Sequence, residues 1–415
     1  MWIKSYLAIF FLLFTLLAIS HQESIAQYRG FRFENDRTKR IEIPFELHSN
    51  LIIIPVTIND GPPLKFILDT GVRTAILTSE VYVEGLPKPN DREINLLGVG
   101  SMGEITAYVT NDVSFGIEGI QAEGNAMLVL KEDYLQLDSY LGVRVHGILG
   151  YEIFSRFVVE IDYANLLLTI HNPDIFKPRR NYTEISIEIE DTKPYIEACL
   201  MMNDSIKLPV KLMIDTGASQ PLMLSTNSAE KIRVPKKNVA GYLGRGLSGE
   251  IYGAMGRIAS LEFDKFTMVD VISSFPEDSS MYAMFTERKQ NGNIGGEILK
   301  RFKVIFDYAN EKLYLHKNRT YKNPFGYNMS GISLMAIGPS LNIFIISNII
   351  EPSPASKVGL KEGDIVLNVN GIRSKDLTLS TFSELVHKRP GKRIRITVYR
   401  DGEFLKKNFR LERIL

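Results

Sequence analysis

The sequence predicts two copies of one β-rich module followed by a smaller β-rich domain that carries a single helix. Three observations predict it. Blocks from the first half recur in the second at a nearly fixed spacing, the segments around them read mostly as strands, and the last ninety or so residues match neither copy. A length of 415 residues suits two or three domains. With 45% hydrophobic and 23% charged residues, the composition is that of a globular chain and excludes global disorder.

The repeat comes first because it sets the architecture. FILDTGV at 66–72 matches LMIDTGA at 212–218, which places Asp69 and Asp215 146 residues apart. LLGVGSMGEI at 96–105 matches YLGRGLSGEI at 242–251 at the same spacing, counted from Leu97 to Leu243. GILGYEIFSRFVVEIDYAN at 147–165 matches GNIGGEILKRFKVIFDYAN at 292–310, 145 residues on. Order and spacing persist through all three blocks, so each module spans about 145 residues.

Within the first copy, IEIPFEL at 41–47 alternates apolar and polar residues, LIIIPVTI at 51–58 reads as a strand ended by Asn59, Asp60 and Gly61, and 158–170 reads as a hairpin. The second copy repeats this at 185–190, 195–202 and 304–316. Asp162 and Asp307 fall where the DYAN segments turn, a position that suits turn chemistry. Pro173 to Asn181 connects the copies, and Lys317 to Pro324 closes the second. In the tail, short β-rich runs at 344–374 are punctuated by Pro352, Pro354, Gly363 and Gly371. A helix is predicted over 379–389, stopped by Pro390 and Gly391, and a hairpin over 394–411 turning at Asp401 and Gly402.

The first 26 residues have the form of a secretory leader: Lys4, an apolar stretch from Tyr6 to Ile19, and small residues at Ser24 and Ala26 ahead of Gln27. The expectation is an exported protein, periplasmic or secreted, with retention of the leader as a membrane anchor as the alternative. Cys199 is the sole cysteine, so no intramolecular disulfide forms, which favours a bacterial envelope. Asn-x-Ser/Thr triplets at Asn181, Asn203, Asn318 and Asn328 keep a eukaryotic secretory route open. A net charge of +1 without a basic stripe gives no reason to expect nucleic acid as a partner. The six histidines lack metal-ligand spacing, and His146 has no placeable nucleophile or orienting acid, so it reads as structural.

One DTG triplet after an apolar run is ordinarily a strand ending in a turn. Two, on related modules, can meet about a pseudo-twofold axis. Carboxylates that close cannot both ionise readily; they share a proton and supply one base and one acid. The base can activate a water while the acid polarises a carbonyl, which suffices for amide hydrolysis without a cofactor. Thr70 and Thr216 can bond across the axis, and Gly71 and Gly217 let the backbone bend under the acids. Gly98, Gly100 and Gly103, with Gly244, Gly246 and Gly249, read as hairpin tips able to close over an extended substrate.

FILDTG with GILG at 147–150, and LMIDTG with GNIG at 292–295, resemble the active-site and apolar-apolar-Gly motifs of aspartic proteases of the retropepsin-like clan. The resemblance covers about residues 40–317. It implies an all-β bilobal fold, catalytic Asp69 and Asp215, and a flap from each copy, as in two retropepsin subunits fused into one chain. A monomer can then form the full site, with polypeptide as substrate. Val72 and Ala218 stand where pepsin-like enzymes carry a hydroxyl after the triplet, which implies a raised dyad pKa and a pH optimum less acidic than that of pepsin. Asn293 replaces the apolar residue found at Ile148, a departure that bears on the support of Asp215.

The tail, SPASKVGLKEGDIVLNVNG from Ser353 to Gly371, resembles PDZ domains of bacterial envelope proteases. That implies a small α+β domain binding an extended peptide or C-terminus by strand addition. By position the groove is expected between Ile343–Ile349 and a helix near Thr381–Val386, with Ser340, Leu341, Asn342 and Ile343 at the carboxylate end; Asp364 is expected in a turn. The resulting domain expectation is a leader over 1–26, protease lobes over 27–175 and 176–322, and a PDZ domain over 323–415. The competing reading is a catalytically silent peptide-binding scaffold.

Overall fold

The structure, a computed structural model, describes residues 30–82, 93–98, 100, 103–203, 206–277, 285 and 289–415. The leader expected over 1–26 lies outside them. The two copies build a nine-stranded and an eight-stranded sheet, and a third, six-stranded sheet is shared between them. LIIIPVTI forms the strand Leu51–Ile58, almost wholly buried, and the alternating run before it splits into Arg40–Pro44 and Glu46–His48.

The shared sheet fixes how the lobes meet. Its order is Thr183–Ser186, Lys312–Lys317, Phe302–Asp307, Val158–Asp162, Leu167–His171, Arg40–Pro44. At its centre the two DYAN hairpins pair antiparallel, Val159 opposite Phe306 and Asp162 opposite Lys303, so the pseudo-twofold axis passes between them. Asp162 accepts from the Ala164 and Asn165 amides and the Asn165 side chain, and Asp307 from the amide and side chain of Asn310. Both acids therefore stabilise turns. One apolar core runs through both lobes, from Phe31 and Ile52 to Phe302 and Leu315, which joins them into a single packed body.

The tail domain is a sheet in the order Ile332–Ile337, Ile343–Ile349, Ile365–Val369, Arg393–Arg400, Glu403–Arg410, with Ile372–Arg373 beside the third strand. The predicted helix spans Leu379–Val386, capped by the Thr378 hydroxyl on the Thr381 amide. Asp364, fully buried, accepts from the Lys361 amide and is clamped by the Arg400 guanidinium at 2.5 and 2.7 Å.

The strand expected to accept a peptide is not at an edge of its sheet. Ile343–Ile349 is interior, paired along its length with Ile332–Ile337 and through Phe344 and Ile345 with Val366 and Ile365. A strand with both edges paired cannot accept another. Among the described residues the outer strands of this sheet are Ile332–Ile337 and Glu403–Arg410, and the helix Leu379–Val386 packs beside the first, tied by the Met329 amide to the Val386 carbonyl. Ser340, Leu341 and Asn342 form the turn that leads into the interior strand at Ile343. The expectation rested on position in the resemblance, and position along the chain does not say which strand ends up at an edge.

Candidate active site

Each triplet is delivered by the same local device. The strand Leu64–Leu68 runs parallel to Gly147–Leu149, and Ile206–Ile214 runs parallel to Gly292–Ile294. At the strand ends the Asp69 amide bonds the Leu149 carbonyl and the Asp215 amide bonds the Ile294 carbonyl, both at 2.9 Å. The apolar-apolar-Gly segments thus act as splints that stop each chain with its aspartate facing the axis.

Beneath the acids the threonines cross. The Thr70 amide donates to the Thr216 hydroxyl and the Thr216 amide to the Thr70 hydroxyl, each at 3.0 Å. Each hydroxyl in turn donates to the other lobe, Thr70 to the Ile214 carbonyl at 2.7 Å and Thr216 to the Leu68 carbonyl at 2.8 Å. Both side chains are buried, so four polar groups are satisfied only if the lobes stay in register.

The carboxyl groups come within hydrogen-bonding reach of each other. Each accepts the amide two residues on, Gly71 to Asp69 at 2.6 Å and Gly217 to Asp215 at 3.0 Å. Glycine is required at 217: a Cβ there would lie 2.2 Å from the Asp69 carboxyl carbon. Burial and the neighbouring Asp215 charge push Asp69 up to about 7, against smaller opposing effects of the Gly71 amide and the Lys193 cation. Burial raises Asp215 too, opposed first by a donor absent from the other lobe: the Asn293 carboxamide, 2.7 Å from its Oδ2. Ile148, at the corresponding point of lobe one, is apolar. The Asn293 donor thus favours the ionised form at Asp215 and leaves the proton favoured on Asp69.

Two of the six glycines of the expected flaps, Gly98 and Gly100, bring the two glycine-rich turns together, whereas Gly103 and Gly244 have open space where a Cβ would be. Gly98, Gly100 and Gly103 lie between the strands Glu93–Leu97 and Glu104–Ile117; Gly244 and Gly246 end Asn238–Gly246, and Gly249 begins Gly249–Phe263. The Gly98 amide donates to the Ser248 hydroxyl at 2.9 Å. Gly100 is so close that a Cβ would sit 2.4 Å from the Ser248 carbonyl carbon. Leu247, at the tip of the second flap, packs on an apolar cluster of lobe one that holds Ile67, Ile76 and Ile148, with Val72 beside it. On the other lobe, Met223, Ile251 and Phe285 cluster with Leu243. Each lobe thus carries an apolar cluster of its own beside its glycine-rich turn. The sequence marks Asn293 as a departure that bears on Asp215 but not its contact, and it gives no signal for Leu247 or Ser248.

His146 is structural: its Nδ1 accepts the Lys65 amide at 3.0 Å and its ring packs edge-on against Tyr82. Among the described residues, no three His, Cys, Asp or Glu side chains are grouped as metal ligands.

Comparison with known families agrees with this geometry. An aspartyl protease family model matches residues 54–153 and again 199–297, and a PDZ domain model matches 326–411. No curated protein matches the chain significantly.

Proposed function

From a chain that consists of two retropepsin-like aspartyl protease lobes followed by a PDZ domain, we propose an exported aspartic endopeptidase in which Asp215 and Asp69 hydrolyse peptide bonds and the PDZ domain recruits or positions polypeptide. The observation that carries the reading is the pair of carboxyl groups in mutual contact, braced by crossed threonines and covered by two flaps. A binding scaffold has no need of two buried acids whose repulsion costs stability.

Asp215, as carboxylate, takes a proton from a water held between the acids. Asp69, carrying the shared proton, donates to the carbonyl oxygen of the scissile bond as the tetrahedral carbon forms. The flaps exclude bulk water and hold the substrate extended. The clusters around Ile67 and Ile148 and around Met223 and Phe285 suit apolar side chains on the two sides of that bond. Export rests on the leader pattern of residues 1–26.

The test is hydrolysis of a quenched-peptide library by the wild-type chain, Asp69→Asn and Asp215→Asn across pH. Loss of at least about a thousandfold in kcat/KM in both variants, with thermal unfolding intact, is expected. Equal hydrolysis in all three overturns the dyad, and no hydrolysis by the wild type favours the scaffold.

A further inference from the structure

We propose that Tyr134–Arg144 of the first lobe is a relay: a polypeptide tail added to the PDZ groove displaces it, and the displacement loosens the second flap and speeds turnover in the cleft. The speeding of turnover rests on the peptidase reading above; the mechanical link does not.

The groove is bounded by the outer strand Ile332–Ile337 and the helix Leu379–Val386. One end of it is in contact with the first lobe. The short helix Leu137–Leu141 packs against Ile332–Ile337. The turn after it touches both walls: Gly142 lies against Leu379, where the groove helix starts, and Arg144 donates to the Pro339 carbonyl at 2.7 Å, just past the end of the groove strand. Asp138 stiffens the turn, accepting from Arg144 and from the Val145 amide at 2.7 Å each. A peptide that extends the sheet needs the strand Ile332–Ile337 that Leu137–Leu141 contacts, so helix and peptide compete for this end of the groove.

The same segment holds the second flap. Arg245, in the flap strand Asn238–Gly246, donates to the Tyr134 carbonyl at 2.7 Å, and the Tyr242 ring stacks on Tyr140 with centroids 6.0 Å apart. Two and three residues beyond Arg245 come Leu247 and Ser248, which close the site against Gly98. The PDZ contact is releasable, because Arg144 is 49% exposed and its hydrogen bond exchanges readily for water. Two occupants that exclude each other at one end of an element, while one of them braces the flap at the other, constitute a linked equilibrium.

The experiment uses the full chain and a fluorescein-labelled decapeptide ending in Tyr-Ile-Leu with a free carboxylate, the apolar end suiting the apolar core that Leu334, Phe382 and Val386 form between that strand and helix. Binding by anisotropy and amide hydrogen exchange of the hairpin 238–263 are read in an Asp69→Asn background, where the probe is not cut. Bound probe is expected to speed exchange in that hairpin by about fivefold or more, and Arg144→Ala to bind the probe tighter by a similar factor and to exchange faster without it. In the active chain the probe raises kcat/KM by a like factor. The relay is overturned if the probe binds and the hairpin exchange does not change, if Arg144→Ala binds with wild-type affinity, or if neither protein binds. An exchange response in a chain without peptidase activity supports the relay and removes only the catalytic reading.

Discussion

The Asn293 carboxamide donates to Asp215 at 2.7 Å, whereas the matching position beside Asp69 is filled by the apolar Ile148. The repeat is thus symmetric in its backbone and asymmetric at its proton. Replacing Asn293 by Ile removes the donor, raises Asp215 and brings the two acids closer in acidity. The acid limb of the pH profile of kcat/KM is expected to move up by about one pH unit, with about a tenfold loss at the optimum, since one charge-assisted hydrogen bond is worth about 1.5–3 kcal/mol. An acid limb that stays in place shows that Asn293 does not set the assignment.

Proton occupancy also sets the working pH. Asp69 must be protonated to act as the acid, and it titrates near 7, so activity should fall as pH rises through about 7 and hold through weakly acidic pH. A pH profile on a neutral substrate measures this directly. A single optimum near pH 2 contradicts it.

The crossed threonines should matter for stability more than for chemistry. Thr70→Val strands the Thr216 amide and the Ile214 carbonyl in a buried site, at a cost of roughly 2–5 kcal/mol for the two groups. Thr70→Ser keeps the oxygen and should lose less than about 1 kcal/mol. Chemical denaturation of both variants decides it; a Val variant as stable as the Ser variant removes the brace.

Much of this site was legible in the sequence because the chain repeats itself. Asp69, Thr70 and Gly71 could be recognised through Asp215, Thr216 and Gly217, and the DYAN hairpins through each other. What escaped was whatever the repeat does not share. The Asn293 contact depends on a side-chain direction across 78 residues of chain, which no local period encodes. The helix Leu137–Leu141 has five residues, too few to establish a 3.6-residue pattern. The strand expected to take a peptide, Ile343–Ile349, is one strand in from the edge, because position in a motif does not encode which strand the sheet leaves outermost.

In the PDZ domain, the Arg400–Asp364 clamp should carry a large share of stability. Arg400→Ala leaves a fully buried carboxylate held by the Lys361 amide, with the guanidinium gone, at an expected cost of about 3–5 kcal/mol. Limited proteolysis at 323–415, with protease lobes intact, reports it. Wild-type resistance would show that the clamp is replaceable.

Asp69 also makes stability depend on pH in a direction opposite to that of an ordinary salt-bridged acid. Its ionisation is disfavoured in the folded chain, with the acid constant raised from 3.8 to about 7 by burial and by Asp215. Between those values the unfolded chain releases a proton that the folded chain retains. The stabilisation is therefore full below about 4 and is lost as pH rises towards 7, after which it no longer changes. Asp69→Asn removes both the titration and the repulsion while keeping the shape. Its unfolding temperature, taken relative to wild type, should climb between about pH 4 and 7 and then level off, with a gain on the order of 3 °C or more at pH 8. Asp215 remains and titrates alone, so it cannot produce the same climb in the difference. A difference that is flat across this range means that Asp69 ionises as freely in the folded chain as in the unfolded one, and the shared proton goes with it.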